Sequence, residues 1–350
     1  MKENLNKIID ISIYAPSGDN SQPWAFKIID NAIYVYNISD KDKSLYNFNM
    51  YASMVAIGAL IENIKISATS FHYECDIKIE DDFSKGLIAK CVFRENFTIE
   101  LDPLFKYIKE RQTNRKPYRV DKINKAIINE LNDSNNFSDI HLEIETNRDN
   151  IHKLANLCSN NEQIVLENKR LHDFLFDHIT WTEKEDNIKK GFYIKTLELE
   201  GPQIIAFKLL RSWGINKILN KIGISKFVAN DNAKLYKQSS AILSFTVNKI
   251  DRISFLKTGM TSQRIWLILT KYSIYMQPLT GIIFLYHRIN SNENTEKFNN
   301  EHIDLINTSY SFMSKILNTG DKNISIMFRI GYADKPTAAT KRRKAEFILE

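Results

Sequence analysis

From Tyr51 to Phe71 the chain carries a run in which Ala52, Ala56, Gly58, Ala59, Ile64 and Ala68 fall on every side of a helix rather than on one stripe. A helix that is small and apolar all round has no face to offer water, so the sequence predicts a closely packed and almost fully buried helix. The chain is long enough to surround it: at 350 residues it can bury roughly three quarters of its unfolded surface. Its 43% hydrophobic and 26% charged residues are those of an ordinary globular protein. No apolar run reaches the ~20 residues that span a bilayer. The opening MKENLNKIID lacks an apolar segment behind a basic one, so the expected location is the cytoplasm.

Around that helix the pattern alternates between periods. Residues 3 to 14 have helical spacing and stop at Pro16, Ser17 and Gly18. Trp24 to Tyr36 reads as a hairpin turning at Asp30 and Asn31, and strands are expected at Tyr73 to Ile79 and Gly86 to Phe93. After Asp102 and Pro103 the spacing predicts helices at Leu104 to Arg111 and Lys122 to Leu131, a strand at Phe137 to Glu145, and one long helix from Asn150 to Ile179. Further strands are expected at Ser239 to Val247, Ile282 to Tyr286 and Ile324 to Ile330, with a helix at Thr261 to Lys271. The expected class is α+β, a sheet flanked by helices twice over.

Several chemistries are excluded by what is missing. The sequence has no GxGxxG or GxxxxGK[ST] loop, no HExxH and no GxSxG. His172 and His178 lie six apart, which does not put them on one helical face as metal ligands would be, so no metal site is expected. Cys75, Cys91 and Cys158 have no CxxC spacing and read as buried thiols. The net charge of +6 is spread among 42 acids without a basic stripe interleaved with aromatics, which argues against nucleic acid.

What remains is a polar loop, Ala15 to Trp24, with sequence APSGDNSQPW. Two prolines hold its shape while backbone donors, short hydroxyls and amides can face a planar heteroaromatic ring. Arg111, Thr113 and Arg115 form a second segment: two guanidiniums four apart with a hydroxyl between them suit a phosphate. A third, Lys341 to Glu346, follows the strand ending Arg329-Ile330-Gly331-Tyr332, and a fourth is Met276-Gln277-Pro278-Leu279-Thr280-Gly281.

Taken in order, the four segments resemble the FMN-dependent nitroreductase family over nearly the whole chain. The loop is similar to that family's APSxxNxQPWxF, the second segment to its RxSxR, the third to its RRPLEE-like stretch and the fourth to its PxEGF, with Lys344 standing where proline is usual and Thr280 where glutamate is. The resemblance implies that Pro16, Ser17, Gly18, Asn20 and Gln22 meet the flavin ring. It implies that Arg111, Thr113, Arg115, Arg342 and Arg343 serve its phosphate end, and that the backbone of Pro278, Leu279, Thr280 and Gly281 lies against flavin N5. No catalytic side chain is implied, since the flavin carries the chemistry, with NAD(P)H as electron donor and a flat small molecule such as a nitroaromatic or quinone as acceptor.

Classical members are about 200 residues long and dimerise, and this longer chain resembles the fused, pseudo-dimeric relatives. Residues 1–103 are expected to form one half and 104–350 the other. A second complete flavin site is not expected, because Lys2 to Lys7 has no arginine motif and Asp133 to Phe137 has no Pro-Ser loop. Residues 181–234 form a basic amphipathic insertion; between 187 and 226 there are eight Lys or Arg against Glu198 and Glu200, with Ile204, Phe207, Leu209, Leu210, Ile218 and Leu219 among them. The insertion is expected to close over the flavin with its apolar positions inward. Three roles follow in descending order: an oxidoreductase, an FMN-sequestering protein, and a peripheral membrane or partner-bound oxidase that docks through the basic stretch, membrane docking being the least expected.

Overall fold

The computed structural model describes residues 1–188, 191–291 and 297–348. Lys189 and Lys190 of the expected basic insertion lie outside the described residues. The elements in chain order are α1 (Lys2–Ser12), β1 (Trp24–Ile29), β2 (Ala32–Asn37), α2 (Tyr51–Thr69), β3 (Tyr73–Ile79), β4 (Leu87–Glu95), α3 (Lys125–Asp133), β5 (Ile140–Glu145), α4 (Arg148–Glu167) and α5 (Lys169–Asp177). They continue with β6 (Ile179–Thr180), α6 (Glu183–Ile188), β7 (Phe192–Tyr193), α7 (Gly201–Leu210), α8 (Trp213–Asn220), α9 (Ile224–Lys237) and β8 (Ala241–Val247). The last are α10 (Arg252–Lys271), β9 (Tyr275–Pro278), α11 (Gly281–Ile289), α12 (Asn300–Ile316) and β10 (Asn323–Gly331).

Two four-stranded antiparallel sheets result, in the orders β1-β2-β4-β3 and β5-β8-β10-β9. The buried helix expected from the sequence is α2, and its counterpart on the second sheet is α10. The two cross at a pair of glycines. A Cβ on Gly58 would stand 2.0 Å from the Leu256 carbonyl oxygen, and one on Gly259 would stand 2.2 Å from that of Val55. Only hydrogen fits at either place, so the backbones touch.

Beyond the crossing the polar groups pair off. Asn63 accepts from Gln263 Nε2 at 2.8 Å and donates to the Ser12 carbonyl at 3.1 Å. Arg264 bridges Glu62 at 2.5 Å and Asp102 at 2.8 Å. One apolar core runs through both sheets and both helices, from Phe26 and Phe93 to Phe255, Leu267 and Ile330. Residues 341–348 return to the first sheet, where Phe26 N donates to the Glu346 carbonyl and Ile348 N to the Phe26 carbonyl, both at 2.9 Å. The C-terminal segment therefore binds the N-terminal half.

The fold corrects the sequence reading in several places. Residues 104–111 give only a 3-10 turn at Phe105–Tyr107. The long helix expected from 150 to 179 is two, because Asn168 adopts an extended ψ of 114° and its side chain accepts from Arg170 N and Leu171 N to start α5 afresh. The run Ile282 to Tyr286, expected as a strand, is helical in α11. The helix expected from Thr261 starts earlier, at Arg252, where the Asp251 carboxylate caps Ser254 N.

The insertion is not one device. Its last helix, α9, packs along α4. Its earlier part builds a small separate core of Phe176, Ile179, Phe192, Ile194 and Leu210 with Trp181 and Phe207 against it.

Candidate functional site

The loop after α1 is shaped by unusual backbone. Asp19, Asn20 and Gln22 all take positive φ, at 46°, 56° and 48°, a region that Asn and Asp tolerate better than most residues. Ser17 Oγ holds the loop by accepting from Gln22 N at 3.0 Å. This coil turns Pro16, Ser17, Gly18 and Asp19 toward a cavity of about 490 Å³. Its walls include Thr113 and Arg115, Ala56 and Ala59 of α2, Trp266 of α10, and the turn Pro278, Leu279, Thr280 and Gly281. That turn is fixed by Leu279 N donating to the Met327 carbonyl at 2.8 Å, and α11 begins behind it without a side-chain cap. An uncapped helix start leaves backbone N–H groups to serve whatever lies in front of them.

Next to this cavity, and sharing Pro16, Ser17, Asp19, Thr113 and Arg115 with it, is a smaller recess of about 120 Å³ that reaches Arg111 and Arg342. Arg111 comes from the segment before α3 and Arg342 from the C-terminal segment. Each donates one Nη2 bond of 3.2 Å to the same Tyr14 carbonyl. Arg111 lies over the Trp266 ring at 4.5 Å.

Burial, with Arg342 adding repulsion, holds the Arg111 guanidinium well below the usual arginine range. Burial brings Arg342 down to about 10. Arg111 Nε and Nη1 and Arg342 Nε have no hydrogen-bond partner among the described residues. Unpaired buried cationic donors are costly, and a phosphate dianion would satisfy them with charge-assisted bonds. Arg115 contributes beside them, with Nη1 on the Thr196 carbonyl at 3.1 Å and its guanidinium over Phe192.

The other expected residues are placed differently. The Asn20 amide donates to the carbonyls of Gly191 at 2.9 Å and Lys341 at 3.1 Å, while its oxygen accepts from Arg342 Nη1 at 3.2 Å. Gln22 is buried and its side-chain oxygen accepts from Arg343 N at 3.1 Å. These two amides clamp the C-terminal segment onto the loop, and only Asn20 reaches the recess. The Arg343 side chain lines neither cavity.

Three carboxyls in the large cavity were not singled out in the sequence. Burial, with Asp42 next to it, pushes Asp19 up to about 6; burial also raises Asp42. Glu162 of α4 is pushed up to about 7 by burial. Its Oε1 accepts from the Tyr236 hydroxyl at 3.0 Å and its Oε2 has no partner among the described residues. The neighbouring Asn161 accepts from the Tyr46 hydroxyl at 2.9 Å. A signal was present: Asn161 and Glu162 sit on the stripe of α4 that otherwise holds Leu154, Ala155, Cys158 and Val165.

Some residues of 181–234 line the cavity, fewer than were expected to face inward. Of the apolar positions expected to face inward, Phe207 and Leu210 line it, together with Leu197, Leu199 and Val228. Ile204 and Leu219 are half-buried, and Leu209 and Ile218 are exposed, a correction to the expected inward face. Among the described residues no group of three or more His, Cys, Asp or Glu could hold a metal ion.

No protein-family model matches the sequence, and no curated protein matches it. Among solved structures the chain is similar to nitroreductase-like flavoproteins. One is the FMN-dependent nitroreductase NfnB from Mycobacterium smegmatis in complex with NADPH, at 12% identity over 65% of this chain and 86% of that one, with a TM-score of 0.36. Another is a nitroreductase with bound FMN from Bacteroides fragilis, at 9% identity over 71% and 100%, TM-score 0.38. A third is an iodotyrosine deiodinase bound to FMN and 3-iodo-L-tyrosine, at 12% identity over 71% and 97%, TM-score 0.38. Superpositions this loose carry no residue role, ligand or activity across to this chain.

Proposed function

We propose that this chain is a nitroreductase-like flavoprotein that binds one FMN and works as an oxidoreductase, taking electrons from NAD(P)H and passing them to a flat small-molecule acceptor. The observation that carries this reading is the convergence of Arg111, Arg115 and Arg342 on a small recess that opens into a larger, mostly apolar cavity. The larger volume lies within the 300–1,000 Å³ usual for cofactor pockets. Arg111, Thr113, Arg115 and Arg342 would hold the phosphate, and the Pro16 to Asp19 coil and the Pro278 to Gly281 turn would enclose the ring. When bound, FMN supplies hydride and single-electron chemistry that no side chain here can supply.

The chain's own residues do the rest. The arginines orient the phosphate end, Trp266 and the alanines of α2 form apolar walls, and Phe207 and Leu210 limit water from the insertion side. One flavin per chain follows from the single set of complementary segments. A second reading, FMN sequestration with little turnover, is favoured by that same cover, because a closed insertion would slow entry of any acceptor.

Two experiments test these readings. A charge-assisted bond is worth roughly 1.5–3 kcal/mol, so Arg111→Gln should weaken FMN binding about ten- to a hundred-fold. Riboflavin, which lacks the phosphate, should barely distinguish the variant from wild type; equal losses for both would mean that the phosphate lies elsewhere. Anaerobic NADH or NADPH should bleach the bound flavin, and a flavin that stays oxidised would leave sequestration as the surviving reading.

A further inference from the structure

From Gly201 to Asn230 the sequence contains no Asp or Glu, while Lys208, Arg211, Lys217, Lys221 and Lys226 are all present. The structure gives this stretch a second property. Ile205, Leu209, Ile215, Ile218, Ile222 and Phe227 are exposed, Ile222 at 82% and Ile218 at 66%. Single exposed apolar residues are ordinary, but six within 205–227 on adjoining helices are an unusual density of exposed apolar side chains.

The patch is organised by helix geometry. On α7, Phe207 and Leu210 face the cavity, and Ile205 and Leu209 fall on the opposite side. On α8 and the turn after it, Ile215, Ile218 and Ile222 follow one another at spacings of three and four residues. Lys217 and Lys221 run as a parallel stripe beside them, all exposed. Lysine stems can lie along an apolar surface while their ammonium groups stay in water. α7 has 10 residues and α8 has 8, and no helix among the described residues is long and apolar enough to cross a membrane. The pattern is that of helices lying in an interface plane rather than spanning it.

We propose that the outer face of α7 and α8 docks on the surface of an anionic lipid bilayer, the exposed aliphatic residues entering the acyl boundary and the flanking cations meeting the headgroups. Charge decides for this occupant over a second copy of the chain. In a two-fold contact the patch meets itself, which would bring two acid-free sets of five cations together. An anionic leaflet attracts the same cations at about fivefold in affinity per lysine. The docking does not depend on what fills the cavity, although the same helix α7 covers it. The membrane-docked role, ranked last on sequence alone, rises because the structure turns these apolar residues outward.

The test is flotation of the full chain with vesicles of phosphatidylcholine alone and of phosphatidylcholine with phosphatidylglycerol. Wild type should float with the anionic vesicles at low salt and be released as salt rises. Lys217→Glu with Lys221→Glu should weaken binding at least tenfold, and Ile218→Asp with Ile222→Asp should abolish it. Both variants change exposed side chains, so unchanged melting temperature and flavin content would separate lost docking from unfolding. Absence of flotation with anionic vesicles at low salt would overturn the proposal, as would equal flotation of the aspartate variant. So would a wild-type dimer that the aspartate variant turns into a monomer without any change in flotation.

Discussion

The crossed helices α2 and α10 and the covering helices α7 and α8 are built from similar residues and do opposite things with them. In the crossing, glycine lets two backbones meet, and the charged groups are all paired: Arg264 lies between Glu62 and Asp102, while the Gln263 amide nitrogen donates to Asn63. In the cover, Gly201 stands in open space, isoleucines face outward and the cations have no acid within their own stretch. Apolar content alone therefore does not tell core from surface. Whether the polar residues on an element find complementary partners does, because a buried unpaired charge is costly and marks a place where a partner is expected.

The largest effect should come from the crossing. Gly259→Val would drive a Cβ into the Val55 carbonyl, where the three nearest atoms are all Val55 backbone and cannot rotate away. Separating the helices would loosen the shared core, so the loss should exceed about 4 kcal/mol, the range reserved for such core disruption. Failure to fold is the expected result, and Gly259→Ala, with a smaller intrusion, should give a measurable lowered melting temperature. A Gly259→Ala protein that melts like wild type would show that the helices are not in contact there.

Next is the ion triad. Arg264→Met should cost about 3 kcal/mol in urea unfolding, since it leaves the buried Glu62 carboxylate uncompensated. Adding Glu62→Leu should recover part of that loss. No recovery would mean that the arginine acts through packing rather than charge.

How far these features were legible in the sequence depends on how local they are. The Pro16 to Gln22 coil, the arginine pair and the Pro278 to Gly281 turn each lie within a few consecutive residues, so their grouping could be read before any fold existed. Asp42 and Trp266 could not be, because they reach the cavity from elements far apart in the chain, while Glu162 left a trace only as a polar break in the apolar stripe of α4. Asn20 and Gln22 were legible as part of the loop but not as clamps, since their partners are backbone groups of Lys341, Gly191 and Arg343.

Element type failed where the period is silent. Gly281 to Ile289 is buried on nearly every side, so strand and helix fit the pattern equally until β10 and α12 close around it. β9 has only four residues and ends on proline; its identity comes from pairing with Phe328 to Gly331. The outward Ile218 of α8 was also expected to be cover, since a helical stripe says that a face is apolar and not what it meets.

The carboxyls of the cavity supply a smaller effect with a definite sign. Glu162 is raised by burial to about 7 from its ordinary 4.5, so its contribution to stability is full below about pH 4.5 and is lost as pH rises toward 7. Glu162→Gln keeps the shape without the charge. Relative to wild type it should be indistinguishable at pH 4 and more stable at pH 8 by on the order of 2 kcal/mol, measured on the flavin-free protein. A gap that does not change with pH would mean that the carboxylate is solvated in place.

The smallest effect belongs to the cover and completes the contrast with Gly259. Gly201 is the first residue of α7, and a Cβ there would meet nothing within 4 Å. Its φ is not in the left-handed region, and the capping box of Glu200 and Gln203 leaves its side-chain position unused. Gly201→Ala therefore adds no clash and removes freedom from the unfolded chain, which should stabilise by about 0.4–1 kcal/mol. In a segment with its own small core, that gain should appear as slower proteolysis or hydrogen exchange within 201–210 before it appears in the global melting temperature. A loss of stability instead would mean that α7 needs the glycine to bend, and that the cover is under a constraint of the kind found at the crossing.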